Sequence, residues 1–246
     1  MGSAVPFRAA ELKVGRRKGN PMERGICSWR LVTALAVLAL AWAPAASATD
    51  GTILITQATA SHGLPGCPVT GFPIVICQPG SYRLGSNLSA PVDTGAIVVT
   101  ATTVTLDLNG FAIRGSLSAI GVEADGANVS IKNGTITGFS ADIYGKSGTT
   151  VSGVELSQAN WGILATGSVM VTDSRLVGDV YGLYLNSASS VLAMRNLFDG
   201  DSSGIYAGQA PGVAYGENRF SDFTVDVSGG ATHSMGNNVC SDGSVC

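Results

Sequence analysis

One feature limits the folds open to this chain more than any other. A short apolar pattern returns along it at intervals of 20 to 23 residues. The segment AIVV (Ala96–Val99) recurs as AIGV (Ala119–Val122), DIYG (Asp142–Gly145), GILA (Gly162–Ala165), GLYL (Gly182–Leu185), GIYA (Gly204–Ala207) and TVDV (Thr224–Val227). Its leading aliphatics are Ile97, Ile120, Ile143, Ile163, Leu183, Ile205 and Val225. A second apolar column runs Leu108, Ile131, Val151, Val171, Ala193, Tyr215, Met235, and a third runs Ile113, Ile136, Leu156, Leu176, Phe198, Phe220, Cys240. Two residues before the third stand Phe111, Gly134, Val154, Ser174, Asn196, Asn218 and Asn238, ending in a run of asparagines.

Self-similarity at such a period is the mark of a repeat architecture. Within each period, short runs rich in Val, Ile and Thr alternate with period two and are split by Gly, Asn, Asp and Ser. No stretch after residue 48 keeps helical spacing, and the 33 glycines disfavour helix. Each period therefore reads as three short strands joined by three turns. One such coil cannot bury its apolar face. Stacking coils ~4.8 Å apart pairs every strand with neighbours above and below and encloses the aliphatic columns. Seven coils give a rod of roughly 34 Å on that spacing. The expected fold is all-β, a single-stranded right-handed parallel β-helix of about seven coils. Asn196, Asn218 and Asn238 are expected to form a structural ladder at one corner, satisfying turn groups that would otherwise be buried unpaired.

The stretches TVTLDLNGFAI (Thr103–Ile113), NVSIKNGTITGF (Asn128–Phe139) and VTDSRLVGDVYGLYL (Val171–Leu185) resemble bacterial right-handed parallel β-helix repeat proteins. The fold of that family is that of the pectin lyases. The resemblance spans about residues 80–246 and implies a coil, while the same rod hosts lyases, hydrolases, isomerases and adhesive proteins. The leucine-rich signature L-x-x-L-x-L is absent, and a β-sandwich would not keep columns in constant register.

Before the repeats, Leu31–Trp42 is a 12-residue apolar run preceded by Arg24 and Arg30 and followed by Ala46-Ser47-Ala48. A helix of that length rises only ~18 Å, short of a ~30 Å hydrocarbon core. The pattern is that of a secretory signal peptide cut after Ala48, with no membrane span in the remainder. The organisation is then 1–48 extension and signal, 49–95 a proline-rich N-terminal cap, and 96–246 the β-helix. A secreted or periplasmic location follows. It permits disulfides, and local spacing pairs Cys67 with Cys77 and Cys240 with Cys246. The alternative of a zinc site lacks C-x2-C spacing and neighbouring His pairs.

Residues 1–48 hold seven of the 14 Lys/Arg and two of the 17 Asp/Glu, which leaves 49–246 with seven bases, 15 acids and a net charge of −8. Nucleic acid and anionic surfaces are poor partners for such a body. Outward positions beside the first column are Val98, Gly121, Tyr144, Leu164, Tyr184, Tyr206 and Asp226, with Trp161 and Tyr181 at the preceding corner. Tyr144, Leu164, Tyr184, Tyr206, Trp161 and Tyr181 are the expected ligand-binding residues, a row on which polysaccharide rings could stack. The same row also fits aromatic stabilisation of the sheet or a protein interface. Glu123 with Lys146, Glu155 with Arg175, and Arg195 with Glu217 are expected to align between neighbouring coils.

Catalytic signals are thin. The resemblance implies clustered Asp for Ca²⁺ and an Arg or Lys base in a lyase. The weak candidates are Asp173, Asp199 and Asp201, with Asp179 near the same turn, and solvated turn acids are the competing reading. The Asp-Asp, Gly-His-Gly and Arg-Ile-Lys motifs of polygalacturonase-like hydrolases are absent. His62 and His233 lie too far apart in coil order to cooperate. No cofactor is expected, with Ca²⁺ the weak alternative. The function the sequence favours is binding of a polysaccharide or cell-surface polymer without cleavage. A lyase or glycoside hydrolase of unrecognised type, or a structural or adhesive surface protein, are the alternatives.

Overall fold

The structure is a computed structural model that describes residues 51–67, 69–186, 190–244 and 246. The signal segment 1–48 lies outside the described residues. The strands are β1 (Thr52–Ile55), β2 (Ile74–Ile76), β3 (Gly80–Leu84), β4 (Leu88–Ser89), β5 (Ile97–Val99), β6 (Val104–Asp107) and β7 (Ala112–Arg114). They continue with β8 (Ile120–Ala124), β9 (Val129–Thr137), β10 (Ala141–Gly145), β11 (Thr149–Ser157), β12 (Trp161–Ala165), β13 (Val169–Thr172) and β14 (Arg175–Leu185). Last come β15 (Val191–Met194), β16 (Leu197–Tyr206), β17 (Val213–Gly216), β18 (Arg219–Ser221), β19 (Val225–Ser228) and β20 (Thr232–Ser234). The one helix among the described residues, α1 (Thr59–His62), is a single turn before β2.

Every strand pairing is parallel, and the strands stack as a β-solenoid of about seven turns. Three ladders run its length. The first joins β2, β5, β8, β10, β12 and the later parts of β14 and β16 to β19. The second joins β1, β3, β6, β9, β11, β13, β15, β17 and β20. The third joins β4, β7 and parts of β9, β11, β14 and β16 to β18. The long strands β9, β11, β14 and β16 each turn a corner and serve two ladders. Thus the segment 51–95 already contributes four strands.

The core is the set of inward aliphatics of the three ladders. Its third column matches the sequence from Ile113 through Phe220, whose rings close the stack with Phe198 at 5.0 Å and 9°. The other two columns differ from the sequence reading. In the first, Ile97 pairs with Val122 rather than Ile120, and Ile205 with Val227 rather than Val225. In the second, Leu106 takes the place expected of Leu108, and Ser234 that of Met235, which is exposed. The outward neighbours shift with them: Glu123 replaces Gly121 beside Val98 and Tyr144, and Ser228 replaces Asp226 beside Tyr206. The cause is unequal turns. The coil between Ile97 and Val122 carries the extra loop Gly115–Ala119.

One corner is built the same way in coil after coil. Asn133, Asp173, Arg195, Glu217 and Asn237 all adopt left-handed backbone, with φ between 53° and 61°. Asn and Asp tolerate that region because their short side chains bond locally. The next residue then points into the core. Its buried polar group is satisfied by the coil beside it. Ser174 Oγ accepts from the Val154 N–H at 3.3 Å, Asn196 Oδ1 from Ser174 N–H at 3.0 Å, Asn218 Oδ1 from Asn196 N–H and Asn238 Oδ1 from Asn218 N–H, both at 2.9 Å. The Asn side chains also donate backwards, Asn196 Nδ2 to Val171 O and Asn218 Nδ2 to Ala193 O. The ladder replaces hydrogen bonds that the turn denies to its own backbone. Disulfide Cys67–Cys77 lies in the first coil, between β1 and β3, and Cys240–Cys246 follows β20.

Candidate functional site

The first ladder brings the six aromatic-face residues together. Tyr144, Leu164, Tyr184 and Tyr206 stand directly opposite one another on β10, β12, β14 and β16, and Trp161 opposes Tyr181. Side chains of a parallel ladder stack along the rod axis, so the rings meet. Tyr184 and Tyr206 are parallel at 4.8 Å and 15°. Tyr181 sets its edge against both, at 5.2 and 5.8 Å, and Trp161 leans on Tyr184 at 5.9 Å. Each such contact adds about 0.5–1.5 kcal/mol beyond area burial.

The two ends of this row differ. At the Tyr144 end, Lys146 Nζ lies 5.3 Å over the ring and Thr166 Oγ1 donates to the Tyr144 hydroxyl at 3.2 Å. Lys146 is itself tied to Asp125, which raises its pKa. It therefore aligns with Asp125, while Glu123 aligns with Tyr144. At the Tyr206 end the next coil offers only Ser228, whose hydroxymethyl cannot cover a ring. There Tyr206 and Tyr181 border a recess of about 300 Å³ completed by Ser202, Ser203, Thr224, Val225 and Ser228. None of these side chains is charged. Ser203 and Ser228 hydroxyls approach each other at 3.3 Å. The recess offers an aromatic wall and a group of hydroxyls.

The acids expected as catalytic candidates fall in different places. Asp173 is exposed at the left-handed corner, where Arg195 Nε and Nη2 donate to its two carboxylate oxygens at 2.7 and 2.9 Å. That hydrogen bond holds its pKa below the usual carboxylate value. Arg195 and Glu217 occupy equivalent corner positions, and Glu155 meets Arg175 at 3.3 Å. Asp199 lies on β16 opposite Val177 and Ser221, at the far end of its third-ladder segment from the corner of Asp173. The backbone of Asp201 is in β16, and its side chain lies outside the described residues.

Asp179 departs from its reading as a solvated turn acid. It is fully buried, as is Asp142, which sequence reasoning passed over. Asp142 occupies an inward position that neighbouring coils give to Gly121, Gly162, Gly182 and Gly204. That substitution of Asp into a glycine column was the available signal. Asp142 Oδ2 accepts from Ser157 N–H at 2.8 Å and Oδ1 from Phe139 N–H at 3.4 Å. Asp179 Oδ1 accepts from Ala159 N–H at 2.9 Å, and its Oδ2 has no hydrogen-bond partner among the described residues. Burial pushes Asp142 up to about 9, with the Asp179 charge adding to it, and burial pushes Asp179 up to about 7.

Comparison with known proteins finds no matching protein family, no matching curated protein and no matching solved structure. Among the described residues no helix is long and apolar enough to cross a membrane.

Proposed function

We propose that this chain is an exported, non-catalytic β-helix of the pectin-lyase-like kind that binds a neutral polysaccharide at the Tyr206 end of its aromatic row. The observation that carries the reading is Tyr206 at the end of the stacked row, bordering a recess lined by uncharged side chains that all bear hydroxyls except Val225. A sugar ring has an apolar C–H face and a hydroxyl rim, so it matches an aromatic wall beside serines. The net charge of −8 over residues 49–246 disfavours a polyanion, and the recess supplies no cation to offset that repulsion. The engagement of Asp173 by Arg195 supports binding over cleavage, because a paired carboxylate is a poor base. The leader and the two disulfides support export.

The test is retention of the purified chain on immobilised neutral and acidic polysaccharides. Tyr206→Ala is expected to lose most retention on the neutral glycan that holds the wild type, while Tyr144→Ala, at the closed end, keeps it. Both should retain the far-UV spectrum, since the two ring contacts that Tyr206→Ala removes contribute about 0.5–1.5 kcal/mol each. Equal retention of wild type and Tyr206→Ala, or release of new reducing ends from any substrate, would remove this reading.

A further inference from the structure

Two fully buried carboxyls beneath an aromatic face, with no cation bonded to either among the described residues, need an explanation. They share one gap in the core. Phe139 and Phe223 are buried at this corner near its two ends, while between them Asp179 stands opposite Gly200 and bonds the backbone of Ala159. A Cβ on Gly162 would lie 2.5 Å from Asp179 Oδ2, so the carboxyl occupies the room that glycine leaves. The two acids also grip one turn. Asp142 holds Ser157 N–H, Asp179 holds Ala159 N–H, and Asp179 abuts Gly162. Ala159 lies two residues before Trp161 and Gly162 directly after it, and the Trp161 Nε1 is buried without a hydrogen-bond partner among the described residues. Tyr181 lies two residues after Asp179 on β14. The carboxyl pair thus fixes the backbone from which the aromatic cluster projects.

We propose that Asp142 and Asp179 form a proton-operated latch under the aromatic face, closed while the pair holds a proton and released when both are ionised. The consequence for ligand rests on the glycan-binding reading; the latch itself does not. With one proton the pair carries a single charge, shared among three backbone N–H groups. With none, two like charges face each other in a medium where each requires solvation. Water then has to enter, and the turn from Ser157 to Trp161 is the segment the carboxyls release. The other titratable groups on strands packed at this corner are Glu123 on β8, Lys132 on β9, Tyr144 on β10, Glu155 on β11, Arg175, Tyr181 and Tyr184 on β14, and Asp199 and Tyr206 on β16, where the side chain of Asp201 lies outside the described residues. None hydrogen-bonds either carboxyl, and Lys132 and Arg175 are engaged with Asp107 and Glu155. The raised proton affinities of both acids place the release on the alkaline side of neutrality.

The test uses the full chain with Trp29→Phe and Trp42→Phe, which leaves Trp161 as the sole tryptophan. Acrylamide quenching of Trp161 is followed from neutral pH to pH 10 while far-UV circular dichroism monitors the solenoid. The expected result is a rise in the quenching constant of about twofold or more above pH 8, reversible and without loss of strand signal. Asp142→Asn stays neutral and keeps one oxygen to accept from Ser157 N–H, giving up the longer bond from Phe139 N–H, so it should keep the low value throughout. Asp179→Asn serves as the second variant should the first fold poorly. Glycan retention, measured in parallel, should fall in the wild type over the same range and persist in Asp142→Asn. A flat wild-type profile, or the same rise in wild type and both variants, overturns the latch. If no glycan is retained at any pH, the binding reading fails while the quenching contrast still decides the latch.

Discussion

Replacing Asn218 by alanine removes four side-chain hydrogen bonds at once. Its Oδ1 accepts from the backbone and the side-chain amide of Asn196, at 2.9 and 3.1 Å. Its Nδ2 donates to Ala193 O at 2.9 Å and to Asn238 Oδ1 at 3.2 Å. Two of these groups keep another partner: Asn196 Nδ2 still reaches Val171 O, and Asn238 Oδ1 still receives the residue 218 N–H. The Asn196 N–H does not, and it is buried with its residue at 3% exposure. An orphaned buried donor costs about 1–3 kcal/mol, and the lost bond to Ala193 O adds about 1 kcal/mol. The void left by the carboxamide raises the total to roughly 3–5 kcal/mol. Asn218→Ser should recover part of that, because Ser174 already performs the acceptor role in its own coil. Urea unfolding followed by far-UV circular dichroism reads both variants, with an unchanged slope confirming that the unfolded reference is the same. A loss below about 1 kcal/mol for Asn218→Ala, or no recovery in the serine variant, would refute the view that this ladder satisfies the corner.

Two further outcomes follow from the core. Burial raises the folded pKa values of Asp142 and Asp179 above the ordinary carboxylate range, so the folded chain holds protons that the unfolded chain releases. Their contribution is therefore complete below pH 4 and declines as pH rises, through about 7 for Asp179 and about 9 for Asp142. The urea midpoint should fall from mildly acidic to alkaline pH, and Asp142→Asn should flatten that fall; a midpoint rising toward pH 9 contradicts it. Among the glycines, a Cβ on Gly126 would overlap the Ala101 carbonyl, whereas one on Gly212 meets nothing within 4 Å. Gly126→Ala should lower the thermal midpoint sharply and Gly212→Ala should leave it within error, as differential scanning would read.

The coil, its three ladders and the asparagine run were legible because each repeats in phase. What the pattern could not resolve at Ile120 and Leu108 was a slip of two residues. Ile120 and Val122 project to the same side of a strand, as do Leu106 and Leu108, so alternation fits either choice equally. Only hydrogen-bond register distinguishes them, and that register depends on loops such as Gly115–Ala119 whose length carries no hydrophobic signal. The aromatic row survived the slip because Tyr144, Leu164, Tyr184 and Tyr206 follow one another at 20 to 22 residues and Ile143, Ile163, Leu183 and Ile205 beside them hold the expected register. Asp179 was misjudged for a different reason. An acid in a turn is ordinarily solvated, and its burial depends on Ala159 and Gly162 in the adjoining coil being small, a relation visible only once coils are superposed.

The positions of the two disulfides govern how such a rod comes apart. In a stacked array each coil is held only by its neighbours, so melting normally frays inward from the termini, where a coil has one neighbour instead of two. Here Cys67–Cys77 closes the loop entering β2, and Cys240–Cys246 closes the segment after β20. The coils most prone to peel are the ones that carry a covalent loop. Each bridge lies within its own coil, so the grip on the next coil still rests on ladder bonds alone. What the bridge removes is part of the freedom the coil would gain once peeled, which makes fraying at either end less favourable without joining one coil to another.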